Sequence, residues 1–233
     1  EFYKELGLVW IPRELRENEG EIEAAARDRL PNLVEPGDIK GDLHIHSSFP
    51  PNTSHDAGRS SMEELVAEAD RLGYEYISFS EHNLKSSERE KTVHEILKRK
   101  REMVEHINYS REKKSEKGVR KVFSSLEIDI KPDGKLALPE AGFNLIDFAI
   151  VSVHSSFRGS QNEQTKRVLA ALAHPKAKIF GHPTARMLNQ REGVELNWPQ
   201  ILDFCQKHDK WLEINSWPER LDLPDVLVRE AVK

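Results

Sequence analysis

From Lys40 onward, short runs of β-forming residues alternate with longer helix-like runs, and this alternation restricts the fold more than any other feature of the chain. Residues 43–46, 74–79, 122–130, 146–153, 177–180 and 211–214 read as six strands. Between them, residues 60–72, 86–117, 162–173 and 199–208 have helical spacing, and residues 224–232 begin a last helix. Ser60 and Glu63 have capping-box spacing at the head of the first helix, and Gly73 closes it. A strand followed by a helix and another strand pairs in parallel through a right-handed crossover. The six strands therefore predict an α/β fold whose parallel sheet closes into a (β/α) barrel.

The strand ends carry the chemistry. Leu43 and Ile45 alternate with His44 and His46, so both imidazoles leave one face of the strand, about 7 Å apart. Parallel α/β folds gather ligands at the carboxyl ends of their strands. Here those ends hold His44 and His46, then Glu81-His82, Glu127, His154 and His182. Asp56 lies in the polar loop after the first strand, with His55 beside it as a competing donor, and Asp129 shares the phase of Glu127. Imidazoles mixed with carboxylates suit zinc, manganese or iron rather than calcium. His55, His94, His106, His174 and His208 fall on helices or loops and read as ordinary solvated side chains.

Composition excludes several classes. The chain has 233 residues, 37% of them hydrophobic, and no apolar run near the ~20 residues of a membrane span. No basic-then-apolar leader precedes Glu1, and the first residue is not Met, so the expectation is a cytoplasmic chain processed or cut from a longer one. A single cysteine, Cys205, rules out a disulfide scaffold. A net charge of -5 excludes nucleic-acid binding by bulk electrostatics, so any contact with a polynucleotide must be local. Residues 1–39 differ from the rest: Pro12, Pro31 and Pro36 punctuate them, and residues 14–29 read as one charged helix. They form a lead-in to a domain over residues 40–233.

Five segments resemble the motifs of the polymerase and histidinol phosphatase (PHP) domain. They are Asp42-Leu43-His44-Ile45-His46-Ser47, Phe79-Ser80-Glu81-His82, Ser125-Leu126-Glu127-Ile128-Asp129, Val151-Ser152-Val153-His154-Ser155 and Gly181-His182-Pro183-Thr184. Leu212-Glu213-Ile214-Asn215 with Arg220-Leu221-Asp222-Leu223 is similar to the version at the carboxyl end of bacterial and archaeal family X DNA polymerases. The lead-in, Leu6-Gly7-Leu8-Val9-Trp10-Ile11-Pro12 with Glu21-Ile22-Glu23-Ala24-Ala25, is similar to the segment joining polymerase and PHP domain there.

The resemblance implies a distorted PHP-type barrel of seven strands, of which six are present here and the seventh is missing at the C-terminus. It implies up to three divalent metal ions, manganese or zinc, with iron also suited. By that pattern His44 and His46 bind a first ion, Glu127 bridges it to a second held by His154 and His182, and Asp56 and His82 serve a third. Arg158 and Arg186, shortly after His154 and His182, are placed to grip a phosphate bidentately. The family's last strand carries an Asp-Ala-His motif, which would fall beyond Lys233 and supply one ligand each to the first and third ions. Glu81 stands where the family usually has Asp, and its extra length is expected to disturb positioning near the third ion.

The implied activity is metal-dependent phosphodiester hydrolysis at DNA 3′ ends, in single strands or gapped duplexes. The chain would be the 3′-5′ exonuclease or end-processing module of a repair polymerase, with family X polymerase domains in cis. Two alternatives differ in class: a small-molecule phosphatase of the histidinol-phosphate type, and a truncated, catalytically weak module with a structural or regulatory role. Trp198, Trp211 and Trp217 are candidates to stack a base near the mouth, with core packing preferred for Trp211.

Overall fold

The helix expected over residues 14–29 is broken in the computed structural model, which describes residues 1–50, 52–112 and 118–232. Asn18 (φ 59°) and Gly20 (φ 94°) both sit in the left-handed region, which ends a right-handed helix. What forms instead is α1 (Phe2–Glu5), a 3₁₀ turn at Arg13–Leu15 and α2 (Glu21–Ala26). The Glu21 carboxylate accepts the Asn18 and Glu19 backbone N–H groups at 3.0 and 2.8 Å, fixing the break. The chain divides into two units, Glu1–Ile39 and Lys40–Lys233.

In the second unit the order is β1 (Gly41–Ile45), α3 (Met62–Leu72), β2 (Tyr76–Phe79), α4 (Glu90–Glu112), β3 (Lys121–Ser124), β4 (Leu126–Asp129), β5 (Ala149–Ser152), α5 (Gln161–Leu172), β6 (Ala177–Phe180), α6 (Trp198–Lys207), β7 (Trp211–Leu212) and α7 (Asp225–Ala231). Every neighbouring pair of strands is parallel, in two sheets ordered β1-β2-β3 and β4-β5-β6-β7. The fold is thus α/β with parallel sheets. Among the described residues β1 and β7 are not paired. No helix is long and apolar enough to cross a membrane among those residues.

Several boundaries shift for identifiable reasons. Helix α3 is capped by Ser61 with Glu64, one residue later than the Ser60–Glu63 pair, because the Ser60 carbonyl is engaged by the Ser48 N–H at 2.8 Å and belongs to the loop. The start of the expected fourth strand is taken by a 3₁₀ helix, Glu140–Leu145. Helix α4 covers residues 90–112 of the expected 86–117, and residues 113–117 lie outside the described residues.

The expected third strand is split at Ser125. The Ser125 N–H donates to the Phe79 carbonyl at 2.9 Å, while the Ser125 carbonyl turns to the ammonium of Lys100, which also donates to Phe79 O at 2.8 Å. Beyond the split, β4 pairs with the continuation of β2: Asn83 N–H reaches Glu127 O at 2.9 Å, and His82 and Glu127 form an isolated parallel bridge. The two sheets are therefore joined along a short seam. Met62 and Val66 of α3 with Val104 and Ile107 of α4 cover Ile77, Phe79 and Val122. A second apolar cluster sets Val168, Leu172 and Ile201 of α5 and α6 against Ile128, Val151 and Phe180. Each such fully buried side chain contributes about 1.5–3 kcal/mol, so the helices hold the strands rigidly and the strand ends inherit that rigidity.

Candidate metal centre

The carboxylate of Glu127, 1% exposed, has five imidazoles around it. Its Oε2 faces His44 Nε2 at 3.0 Å, His46 Nε2 at 3.4 Å and His82 Nδ1 at 3.1 Å. Its Oε1 faces His182 Nε2 at 2.8 Å and His154 Nε2 at 3.1 Å. These six side chains come from β1 and the residue after it, the continuation of β2, β4, and the residues just after β5 and β6. They converge because parallel strands end on the same side and Glu127 stands at the seam where the two sheets meet.

Two further carboxylates hold imidazoles from behind. His44 donates Nδ1–H to Glu213 Oε1 at 2.6 Å, and His154 donates Nδ1–H to Asp129 Oδ1 at 2.7 Å. A carboxylate on one ring nitrogen fixes the tautomer and turns the other nitrogen toward the cleft. Glu213 also accepts the backbone N–H of His182, so one side chain positions two of the cluster. Glycines make the close approaches possible: a Cβ at Gly58 would lie 1.8 Å from the His46 carbonyl oxygen, and one at Gly181 would lie 2.4 Å from Ser152 Oγ.

The loop after β1 delivers His55 rather than Asp56 to the cluster. His55 Nε2 is 3.1 Å from Asp129 Oδ1, and its ring lies 4.8 Å from that of His82 and 4.4 Å from that of His154. Asp56 is exposed and lines the same cleft without joining the group. Thr53 sets this choice by donating to the His55 carbonyl at 2.8 Å while bridging to Leu84. Arg158 is exposed and does not line the cleft. Arg186 directs its guanidinium to the carbonyls of Arg220 and Leu221 instead of the mouth. Arg220 does line the mouth. Glu81 turns inward, pairing with Lys100 and accepting Ser47 Oγ at 2.6 Å, so it does not disturb the cluster as its length led us to expect. Exposed His94 and His106 are on α4, away from the cluster.

Three overlapping sets have ligand atoms within 4.8 Å of one another: His44, His46 and Glu127; Glu127, His154 and His182; and His55, His82, Asp129 and His154. The residues fit divalent cations. Glu127, Glu213 and Asp129 cannot together neutralise six imidazolium ions, so several of the rings must be neutral, which is the state that ligates a metal. His46 and His182 turn their Nε2 atoms toward Glu127, the side on which a cation would be ligated. Burial first, then repulsion from His46, His154 and His55, lowers His82 to about 3 despite Glu127. Burial also disfavours a proton on His154, but Asp129 and Glu127 outweigh it and raise its pKa to about 9. Burial works the same way on His44, where Glu127 and Glu213 prevail and the net shift is upward. Glu127 is held well below the usual carboxylate range by the surrounding imidazoles against its burial.

These shifts set a pH dependence for the metal-free protein. A folded pKa of about 9 on His154 lies above the ordinary histidine value near 6.5. Its contribution to stability is complete below about pH 6.5 and is lost as pH rises through about 9. His44 shifts in the same direction. The melting temperature of chelator-treated protein is expected to fall between pH 6.5 and 9, and saturating Mn²⁺ to flatten that fall, because the cation takes the place of the proton. A metal-free melting temperature that rises over this interval would contradict the arrangement.

The cleft above the cluster has a volume of 690 Å³, within the usual range for ligand sites. The PHP domain profile matches residues 42–217. The DNA polymerase/3'-5' exonuclease PolX of Bacillus subtilis (strain 168) is 32% identical over 223 residues, covering 96% of this chain and 37% of that protein. A probable phosphatase of Caldicellulosiruptor saccharolyticus is 28% identical over 98 residues, covering 41% of this chain and 38% of that protein. The alignments thus span little more than a third of each relative's length. With the profile covering most of the residues and the histidine and carboxylate motifs meeting at one cleft, the chain belongs to the PHP domain family, whose members are metal-dependent phosphoesterases.

Proposed function

We propose that this phosphoesterase domain hydrolyses phosphodiester bonds at DNA 3′ ends, as the 3′-5′ exonuclease or end-processing module of a family X polymerase. The observation that carries the reading is the Glu127 carboxylate with imidazoles on both of its oxygens, a geometry suited to sharing one ligand between two cations. Divalent cations bound there, manganese or zinc, supply Lewis acidity toward phosphoryl oxygens and an activated water at neutral pH. His44, His46 and Glu127 would hold one ion, and Glu127, His154 and His182 a second. His82, with His55 and Asp129, offers a third position, and Asp56 is a carboxylate beside it. Glu213 and Asp129 keep His44 and His154 aimed, so the donors need no rearrangement when substrate arrives.

Similarity to the Bacillus protein covers 96% of the chain and so extends over most of residues 1–39, ahead of the PHP match that begins at residue 42. This supports residues 1–39 as a lead-in from polymerase domains in cis, in a cytoplasmic protein. The strand succession β1-β2-β3/β4-β5-β6-β7 supports a PHP-type (β/α) barrel as the complete architecture. A 5′-labelled single strand incubated with the purified chain and Mn²⁺ is expected to shorten stepwise from its 3′ end. His154→Ala is expected to abolish this, and His94→Ala, on the exposed face of α4, to leave it intact. Release of terminal phosphate alone, with the strand kept at full length, would overturn the reading in favour of a phosphatase, the activity in the name of the Caldicellulosiruptor relative.

A further inference from the structure

We propose that residues 215–222 form the substrate-recognition loop of the cleft, with Trp217 stacking on a nucleobase and Arg220 binding the adjoining phosphate. This rests on the reading of the substrate as a nucleotide ester.

The loop is pinched and anchored at its base. Asn215 and Asp222 form an antiparallel bridge, with the Asp222 N–H donating to Asn215 O at 3.0 Å. Inside it, the Arg220 and Leu221 N–H groups both donate to the Trp217 carbonyl, at 2.8 and 3.0 Å, and the Trp217 N–H donates to Asn215 Oδ1 at 3.1 Å. Asp222 is fully buried and accepts the Thr184 N–H and hydroxyl at 3.0 and 2.9 Å. The Arg186 guanidinium donates to the carbonyls of Arg220 and Leu221. Thr184 and Arg186 lie two and four residues after His182, so the loop is tied to the segment that supplies a cluster histidine. Its position relative to the cluster is therefore fixed, as a recognition element requires.

What the loop presents is an aromatic ring and a cation. Trp217 is 63% exposed although its backbone is held at three points, and among the described tryptophans it alone lines the cleft. Trp211 lies under Lys178 at another cavity, and Trp198 packs on the core. Arg220 also lines the cleft, and its Nη1 is buried with no acceptor. A guanidinium nitrogen kept dry and unpaired is costly unless an anion completes it. Arg220 lines the same cleft as His182 and Glu213, so it stands at the rim of the histidine cluster. An indole beside a guanidinium, both at the lip of a cluster suited to phosphate chemistry, selects a phosphate ester that carries an aromatic base over one that carries a bare sugar. Because every base has a π-face, the selection is by class and not by sequence.

The test compares thymidine 5′-monophosphate with ribose 5-phosphate, binding each to the whole chain in Mn²⁺ by calorimetry. The native chain is expected to prefer the nucleotide by about 5- to 150-fold, the range of one base–aromatic stack. Trp217→Ala is expected to erase that ratio while leaving ribose 5-phosphate binding unchanged, and Trp217→Phe to keep most of it. Arg220→Gln is expected to weaken both ligands equally. No preference in the native chain, or equal weakening of both ligands in Trp217→Ala, would overturn the proposal. DNA shortening by the native chain with an unchanged ratio in Trp217→Ala removes the loop assignment alone. A ratio lost in Trp217→Ala without any DNA shortening supports the loop and removes the exonuclease reading.

Discussion

Glu127→Gln is expected to lower the rate of phosphodiester hydrolysis by at least about 10³-fold and to empty two of the three cation positions. Glutamine has the same shape, so the packing around it survives; what disappears is the charge that sits among five imidazoles. A cation held by neutral nitrogens alone keeps no anionic ligand, and the Lewis-acid contribution it supplies, several kcal/mol, corresponds to a thousandfold or more in rate. Metal content by mass spectrometry and rate on a labelled strand are read on the same preparation, with circular dichroism as the control for folding. A Glu127→Gln protein that retains full rate and two bound ions would show that the cluster does not work through this carboxylate.

Lys100→Met is expected to cost about 3–5 kcal/mol of stability, the usual penalty for removing one partner of a buried ion pair. Lys100 and Glu81 are each 1% exposed, and the ammonium also closes the carbonyls of Phe79 and Ser125 at the split strand. Its loss leaves the buried Glu81 charge without its cation and the Ser125 carbonyl without its donor, while Ser47 still donates to Glu81 and the Ser125 N–H to Phe79 O. Against a total of about 5–15 kcal/mol for a typical domain, that is a large share. Lys100→Met combined with Glu81→Gln is expected to recover much of the loss, since the uncompensated charge is then gone. Urea denaturation of the four proteins gives the cycle. A single-variant loss below about 1 kcal/mol, the size of an exposed pair, would contradict the buried arrangement. Ser47 and Glu81 adjoin His46 and His82, so the single variant is also expected to bind cations more weakly.

What could be read from the sequence follows from which interactions are local. The alternation of Leu43 and Ile45 with His44 and His46 states which face a side chain leaves from, and the strand ends of a parallel sheet share one side. The meeting of those histidines at Glu127 needed no more than that. Asp56 and His55 are neighbours in an irregular loop where no period applies, and Thr53, by holding the His55 carbonyl, decides between them. Lys100 was legible in principle: Val93, Leu97, Lys100, Val104 and Ile107 are the buried positions of α4 and have helical spacing, so a lysine in that stripe must find a buried partner. The charged residues around it read as a solvated face and concealed it. The role of Glu213 depends on β7 lying near β1 in space, and nothing in residues 211–214 alone announces that.

The seam between the two sheets has a final consequence. His44, His46 and His82 stand on one bank of it and His154 and His182 on the other, while a short run of backbone hydrogen bonds from Ser125, Glu127 and Asn83 crosses. Ions seated there would act as rivets as well as reagents, and neither half of the protein could acquire them before the other had folded.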